Sequence, residues 1–234
     1  MASYKSYGAN TIGDDVYEKL KEEILNLTIK PGQVLTEQEI CEKYGISRTP
    51  SRDVLQRLRN DDLVVAIPYK ANYVALLNLD TIQQMIYMRM AIETKVIKDA
   101  IAIMDDRFVK ALDENLARQE ALLKTDFQPE EFFEIDSELH KTWFEATHKC
   151  AVWEQIQKAQ VHYTRFRMLD IVVVKNFTAI YQEHVKLVDM IKEKRVEEIE
   201  GYMTRHLQGG AIRLGEKIYN EYADFFVKQE KYRT

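Results

Sequence analysis

The sequence predicts a mainly α-helical protein in two parts, an N-terminal winged helix-turn-helix followed by an all-helical bundle. Three observations lead there. Only eight glycines and four prolines occur in 234 residues, and Pro31, Pro50 and Pro68 all fall in the first third. Short elements with turns therefore come first and long helices later. Two β-prone runs, residues 63–67 and 73–77, flank the polar turn Pro68-Tyr69-Lys70-Ala71-Asn72 and read as a hairpin. Beyond Asp80 strand signals nearly vanish, leaving Ile171-Val172-Val173-Val174 as the one ambiguous run.

The elements follow in order. Val16, Leu20, Ile24 and Leu27 form the apolar stripe of a first helix over about 14–27, with Asp14 or Asp15 available as its cap. Residues 29–35, centred on Pro31-Gly32, read as a turn. Thr36 followed by Glu39 is a capping box that opens a short helix ending at Gly45. Ser47 begins a third helix whose Val54, Leu55 and Leu58 face inward. Then come the hairpin, a hinge at Leu77-Asn78-Leu79-Asp80, and helices over 82–103, 108–123, 130–147, 153–169, 179–192 and 196–207, with a tail from Ile212. These patterns divide the chain into residues 1–77 and 78–234.

Composition narrows the function classes. With 46% hydrophobic and 30% charged residues, and no uncharged apolar run of bilayer length, a membrane protein is excluded. The polar N-terminus lacks a secretory signal core, so the chain is expected to stay in the cytoplasm. Cys41 and Cys150 stand far apart outside any Cys-x-x-Cys pair, so each is expected to be a small buried hydrophobe. The formal net charge is −5, yet Lys43, Arg48, Arg52, Arg57 and Arg59 lie within one stretch opposed only by Asp53. Local potential rather than net charge attracts a polyanion. That stretch is either a solvated helix face or an electrostatic footprint.

The third helix carries chemistry suited to the footprint. A recognition helix sets its N-terminal residues in the major groove, where hydroxyls and backbone N–H groups meet phosphate and arginine reaches guanine edges. Ser47, Thr49 and Ser51 supply hydroxyls, and Arg48 and Arg52 project four residues apart. Lys30-Pro31-Gly32-Gln33-Val34-Leu35-Thr36-Glu37, followed by Tyr44-Gly45-Ile46-Ser47-Arg48-Thr49-Pro50-Ser51-Arg52, resembles the DNA-binding domain of the GntR family of bacterial regulators over residues 16–77. The resemblance implies operator contacts from Ser47, Arg48 and Arg52, and from a wing tip near Lys70 and Asn72. Three positions depart from the family pattern. Gln38 stands where some relatives have arginine, Asp62 where glycine is usual, and Asn72 at the usual wing glycine. Asparagine tolerates left-handed backbone, so the wing is expected to survive.

In the bundle, Asp136 and His140 share one helix face at i, i+4, a spacing that suits either a hydrogen bond or a shared ion. On one continuous helix His184 and His206 would lie about 33 Å apart, so a turn at Lys192-Glu193-Lys194-Arg195 is needed to bring them together. Asp136-x-x-x-His140, then His184, then His206 within Met203-Thr204-Arg205-His206-Leu207, with Arg89-Met90-Ala91-Ile92-Glu93 upstream, resembles the FCD sensing domain of FadR-type GntR regulators. That resemblance makes Asp136, His140, His184 and His206 the ligands of a divalent transition metal: zinc, nickel, manganese or iron. It further implies that a small organic acid or the metal itself is the signal. Arg89, Arg165 or Arg167 are candidates to clamp an acid's other end, although arginines of this kind are more often partners of glutamates. His148 and His162 read as surface or packing residues.

Together these features describe a ligand-responsive regulator, read as a repressor, that binds double-stranded operator DNA as a homodimer, because helix-turn-helix dimers match pseudo-palindromic sites. Two other classes compete. A di-iron enzyme would need two Glu-x-x-His elements, and only Glu145-Ala146-Thr147-His148 has that spacing; neither His-Glu-x-x-His nor Gly-x-Ser-x-Gly occurs. A pure interaction protein would lack sequence-selective DNA affinity.

Overall fold

The computed structural model describes residues 11–228. The chain divides into two compact units, Met1–Leu76 and Leu77–Thr234.

In the first unit, α1 (Ile12–Leu25) buries Val16, Tyr17, Leu20 and Ile24. Its cap is Thr11 rather than Asp14 or Asp15. Thr11 accepts from the Asp14 backbone, and the Asp14 carboxylate reaches back to the Thr11 N–H at 2.9 Å, so the aspartate completes the box at its third position. Strand β1 (Val34–Leu35) lies inside the stretch read from sequence as a turn. It pairs with β3 (Asn72–Val74), which pairs in turn with β2 (Val64–Ala66), giving an antiparallel sheet of order β1-β3-β2. Between them, α2 (Glu37–Tyr44) starts at the Thr36–Glu39 capping box and stops at Gly45, whose φ of 65° favours a residue without Cβ. Helix α3 (Arg48–Asn60) buries Val54, Leu55 and Leu58 against this framework.

The second unit is helical: α4 (Leu79–Ala102), α5 (Asp106–Leu122), α6 (Pro129–Ala146), α7 (Cys150–Ala159), α8 (Val161–Val174), α9 (Phe177–Lys192) and α10 (Val196–Leu214), then 3₁₀ turns at Gly215–Ile218 and Ala223–Phe225. Asn78 caps α4 through its side chain. Leu112, Leu139, Trp143, Phe144, Leu187, Val188, Ile191, Ile199 and Met203 are wholly buried and form its core. Two further expectations do not hold. The run expected to be one helix over 153–169 breaks at Gln160, where ψ of 22° departs from helical geometry, and the ambiguous Ile171-Val172-Val173-Val174 ends α8. Cys150 is exposed and Cys41 half-buried, so neither is the buried hydrophobe expected. No helix among the described residues is long and apolar enough to cross a membrane.

Candidate nucleic-acid interface and metal centre

Ser47, Arg48, Thr49 and Arg52 lie exposed at the N-terminal end of α3. Ser47 caps that helix without engaging its hydroxyl, and Arg48 forms no ion pair with any described residue. The first-turn backbone N–H groups and Arg48 therefore present donors outward, an arrangement suited to phosphate. Arg52 is held by Glu37 at 3.0 Å, across an exposed pair that water screens. Ser51 corrects the sequence reading. It is fully buried and donates its hydroxyl to the Glu37 carbonyl at 3.2 Å, so it fastens α3 to α2 and is out of reach of a phosphate. In the hairpin, Lys70 is exposed beside Tyr69, whose φ is 61°. Asn72 lies in β3 and accepts from Arg59 at 2.9 Å. The left-handed backbone expected at Asn72 thus falls on Tyr69, and a second such residue is Asp62, φ 57°, at a usual glycine position.

In the bundle, His140 on α6, His184 on α9 and His206 on α10 converge, each offering a ring nitrogen within 4.8 Å of the others. The turn at 193–195 reverses the chain between the last two. What fixes the rings is their other nitrogen. His140 Nδ1 is 2.5 Å from Glu93 Oε2, and His206 Nδ1 is 2.7 Å from Glu183 Oε2. Burial would raise the Glu93 carboxyl, but Arg89, 2.5 Å away, and His140 outweigh it and hold its pKa at about 2. An ionised carboxylate only accepts, so both Nδ1 atoms carry hydrogen. For His184 an amide relay gives the same answer. Asn115 donates to the Ile135 carbonyl (2.9 Å), Gln119 donates to Asn115 (2.7 Å), and Gln119 Oε1 is left to accept from His184 Nδ1 (2.8 Å).

All three Nε2 atoms then carry lone pairs, and burial favours the neutral form of His140, lowered to about 4, and of His184, also depressed. His140 Nε2 and His206 Nε2 face each other at 3.2 Å. His184 Nε2 and both Asp136 oxygens are buried without a well-formed hydrogen bond, although Asp136 Oδ1 stands 3.2 Å from His184 Nε2 and 2.8 Å from Arg167. Converging lone pairs beside a buried carboxylate are the donor set that a divalent transition metal fits.

The three candidate arginines separate. Arg89 is buried against Glu93 and is part of the support beneath His140. Arg165 is buried beside His162, its pKa lowered to about 10 by burial, and does not line the cavity next to the histidines. Arg167 does line it, together with Tyr163, Asp170, His206 and Arg213. Sequence reasoning missed the pins Gln119 and Glu183 and the cavity residues Asp170 and Arg213. The only signals for them were that Glu183 adjoins His184 and that Arg213 follows His206 by two helical turns.

The bacterial regulatory proteins of the gntR family match residues 12–74, and the FCD domain matches residues 84–209. The chain is 23% identical over 220 residues to the HTH-type transcriptional repressor RspR of Escherichia coli, covering 93% of this chain and 95% of that one. It is 28% identical over 194 residues to an HTH-type transcriptional regulator in an unstable DNA locus of Streptomyces ambofaciens, covering 83% and 81%. Its fold is similar to that of E. coli McbR/YncC, with a TM-score of 0.69 at 18% identity over 92% of this chain and 100% of that one. A putative GntR regulator from Rhodococcus sp. RHA1 gives 0.68 at 17% over 87% and 97%. The relatives are transcription regulators rather than enzymes, and the family pairs a DNA-binding domain with a ligand-sensing one. The chain therefore belongs to the GntR family of DNA-binding transcription regulators, in the branch that carries an FCD ligand-sensing domain.

Proposed function

We propose that this regulator is a cytoplasmic homodimeric repressor whose residues 1–77 read a pseudo-palindromic operator and whose residues 78–234 dimerise and sense a small organic acid beside a bound divalent metal. The observation that carries the sensing half is the pinning of three histidines: Glu93, Gln119 and Glu183 each take an Nδ1 hydrogen, so that all three Nε2 lone pairs point to one place. Asp136, His140, His184 and His206 would hold the ion. When bound, it supplies positive charge and open coordination positions for a carboxylate.

For the reading half, Ser47, Arg48, Thr49 and Arg52 enter the major groove and Lys70 follows the backbone from the wing, with Asn72 holding the hairpin to Arg59. The repressor named among the relatives supports the sense of regulation. A ligand changes occupancy only by favouring one arrangement of the paired DNA-binding units over another, because equal affinity for both shifts nothing. The test is a titration of full-length protein onto its own upstream DNA and onto a scrambled fragment at two salt concentrations, with and without zinc. Sequence-selective, salt-sensitive binding supports the reading; equal affinity for both fragments rejects it.

A further inference from the structure

The cavity beside His206 is narrow, about 20 Å³, and three of its lining residues are charged: Arg167, Asp170 and Arg213. Arg213 grips Asp170 with two nitrogens, Nε at 3.0 Å and Nη2 at 2.7 Å from Oδ2, and its Nη1 lies 3.5 Å from Glu183, the carboxylate that holds His206. The helix is shaped around this latch. A Cβ at Gly209 would stand 2.6 Å from Arg213 Nη1, and one at Gly210 would stand 3.3 Å from Asp170 Oδ2. Adjacent glycines weaken a helix interior, and here they make the room in which the pair lies against α10.

Charge balance says what the latch is for. Around the histidines stand three cations, Arg89, Arg167 and Arg213, and four carboxylates, Glu93, Asp136, Asp170 and Glu183, of which Glu183 is the most exposed. Arg165 faces His162 instead. With neutral histidines the cluster carries one excess negative charge and opposes an anion. A divalent cation would turn that into one excess positive charge, which a single carboxylate neutralises and a dianion overshoots; uncompensated charge among largely buried groups is disfavoured.

Resting on the metal reading above, we propose that Arg213 is the specificity-determining residue of this cavity, and that with Asp170 it restricts the metal-loaded site to a small monocarboxylate. Arg213 lines the cavity and contributes the charge that the ligand answers. Asp170 is the fixed negative charge that turns a second carboxylate away.

The experiment uses full-length protein with its zinc content measured, and isothermal titration with propionate and with succinate. Zinc-loaded wild type is expected to bind propionate at least about tenfold more tightly than succinate, and zinc-free protein to bind neither. Arg213→Gln should lose propionate affinity by about tenfold or more, while Arg213→Lys keeps it. Asp170→Asn, which adds one net positive charge, should move the preference toward succinate. Zinc content and circular dichroism establish that each variant is folded and loaded. Succinate binding as tightly as propionate in wild type, undiminished propionate affinity in Arg213→Gln, or an unchanged ranking in Asp170→Asn overturns the proposal. Absence of zinc uptake by wild type overturns the metal reading and this one together, whereas zinc uptake without charge-ranked binding overturns only this one.

Discussion

The Nε2 atoms of His140 and His206 face one another at 3.2 Å while the opposite nitrogen of each ring is held by a carboxylate. Hydrogen bonds on the outer nitrogens fix both tautomers, so the facing pair consists of two lone pairs, which the proposed metal ion would relieve.

Gln119 is the most informative residue for this reading, because it lies outside the ligand set and holds His184 Nδ1 directly, its own amide being oriented by the relay through Asn115 from the Ile135 carbonyl. Gln119→Leu should weaken zinc affinity by about 10- to 100-fold while leaving the stoichiometry at saturation unchanged. Competition against a chromophoric chelator measures it. Wild-type affinity in the variant would contradict the pinning role.

The reading helix makes a paired prediction. Arg48→Ala should abolish selective operator binding and lower the salt slope by about one unit, because an exposed cation at the helix N-terminus is removed. Ser51→Ala should instead cost about 1 kcal/mol of stability, the usual worth of a buried hydrogen bond, and leave the affinity of folded protein unchanged. Fluorescence anisotropy beside urea denaturation separates the two effects.

Acid should destabilise the zinc-free bundle. His140 titrates at about 4 when folded against 6.5 ordinarily, so the unfolded chain takes up its proton first. Its contribution is complete above about pH 6.5 and is lost progressively as pH falls toward 4. His184 shifts in the same direction, and Glu93, held at about 2, extends the loss below pH 4.5. Urea midpoints of zinc-free protein at several pH values check this; a midpoint that rises on acidification contradicts it.

Much of this was legible in the sequence because the signals are local. The Thr36–Glu39 box, the stripe through Val16, Leu20 and Ile24, and Gly45 each act within one or two turns. Gln160 was invisible, since neither proline nor glycine marks the break between α7 and α8. The inward turn of Ser51 depends on where Glu37 of α2 lies, and the pins come from α4, α5 and α9, so they are facts of packing that spacing does not encode. Of the three candidate arginines only Arg167 lines the cavity; the partners of Arg89 and Arg165, Glu93 at i+4 and His162 at i−3, lie on their own helices, but which of the three arginines meets the cavity depends on packing.

The most direct test of the sensing account is elemental analysis of untagged protein, wild type beside His184→Ala and His206→Ala. The account predicts about one equivalent of a transition metal in wild type, lost in both variants with helicity retained. Wild-type protein that holds no metal even after reconstitution would contradict it, and would make the converging histidines a polar pocket on an otherwise unchanged DNA-binding regulator.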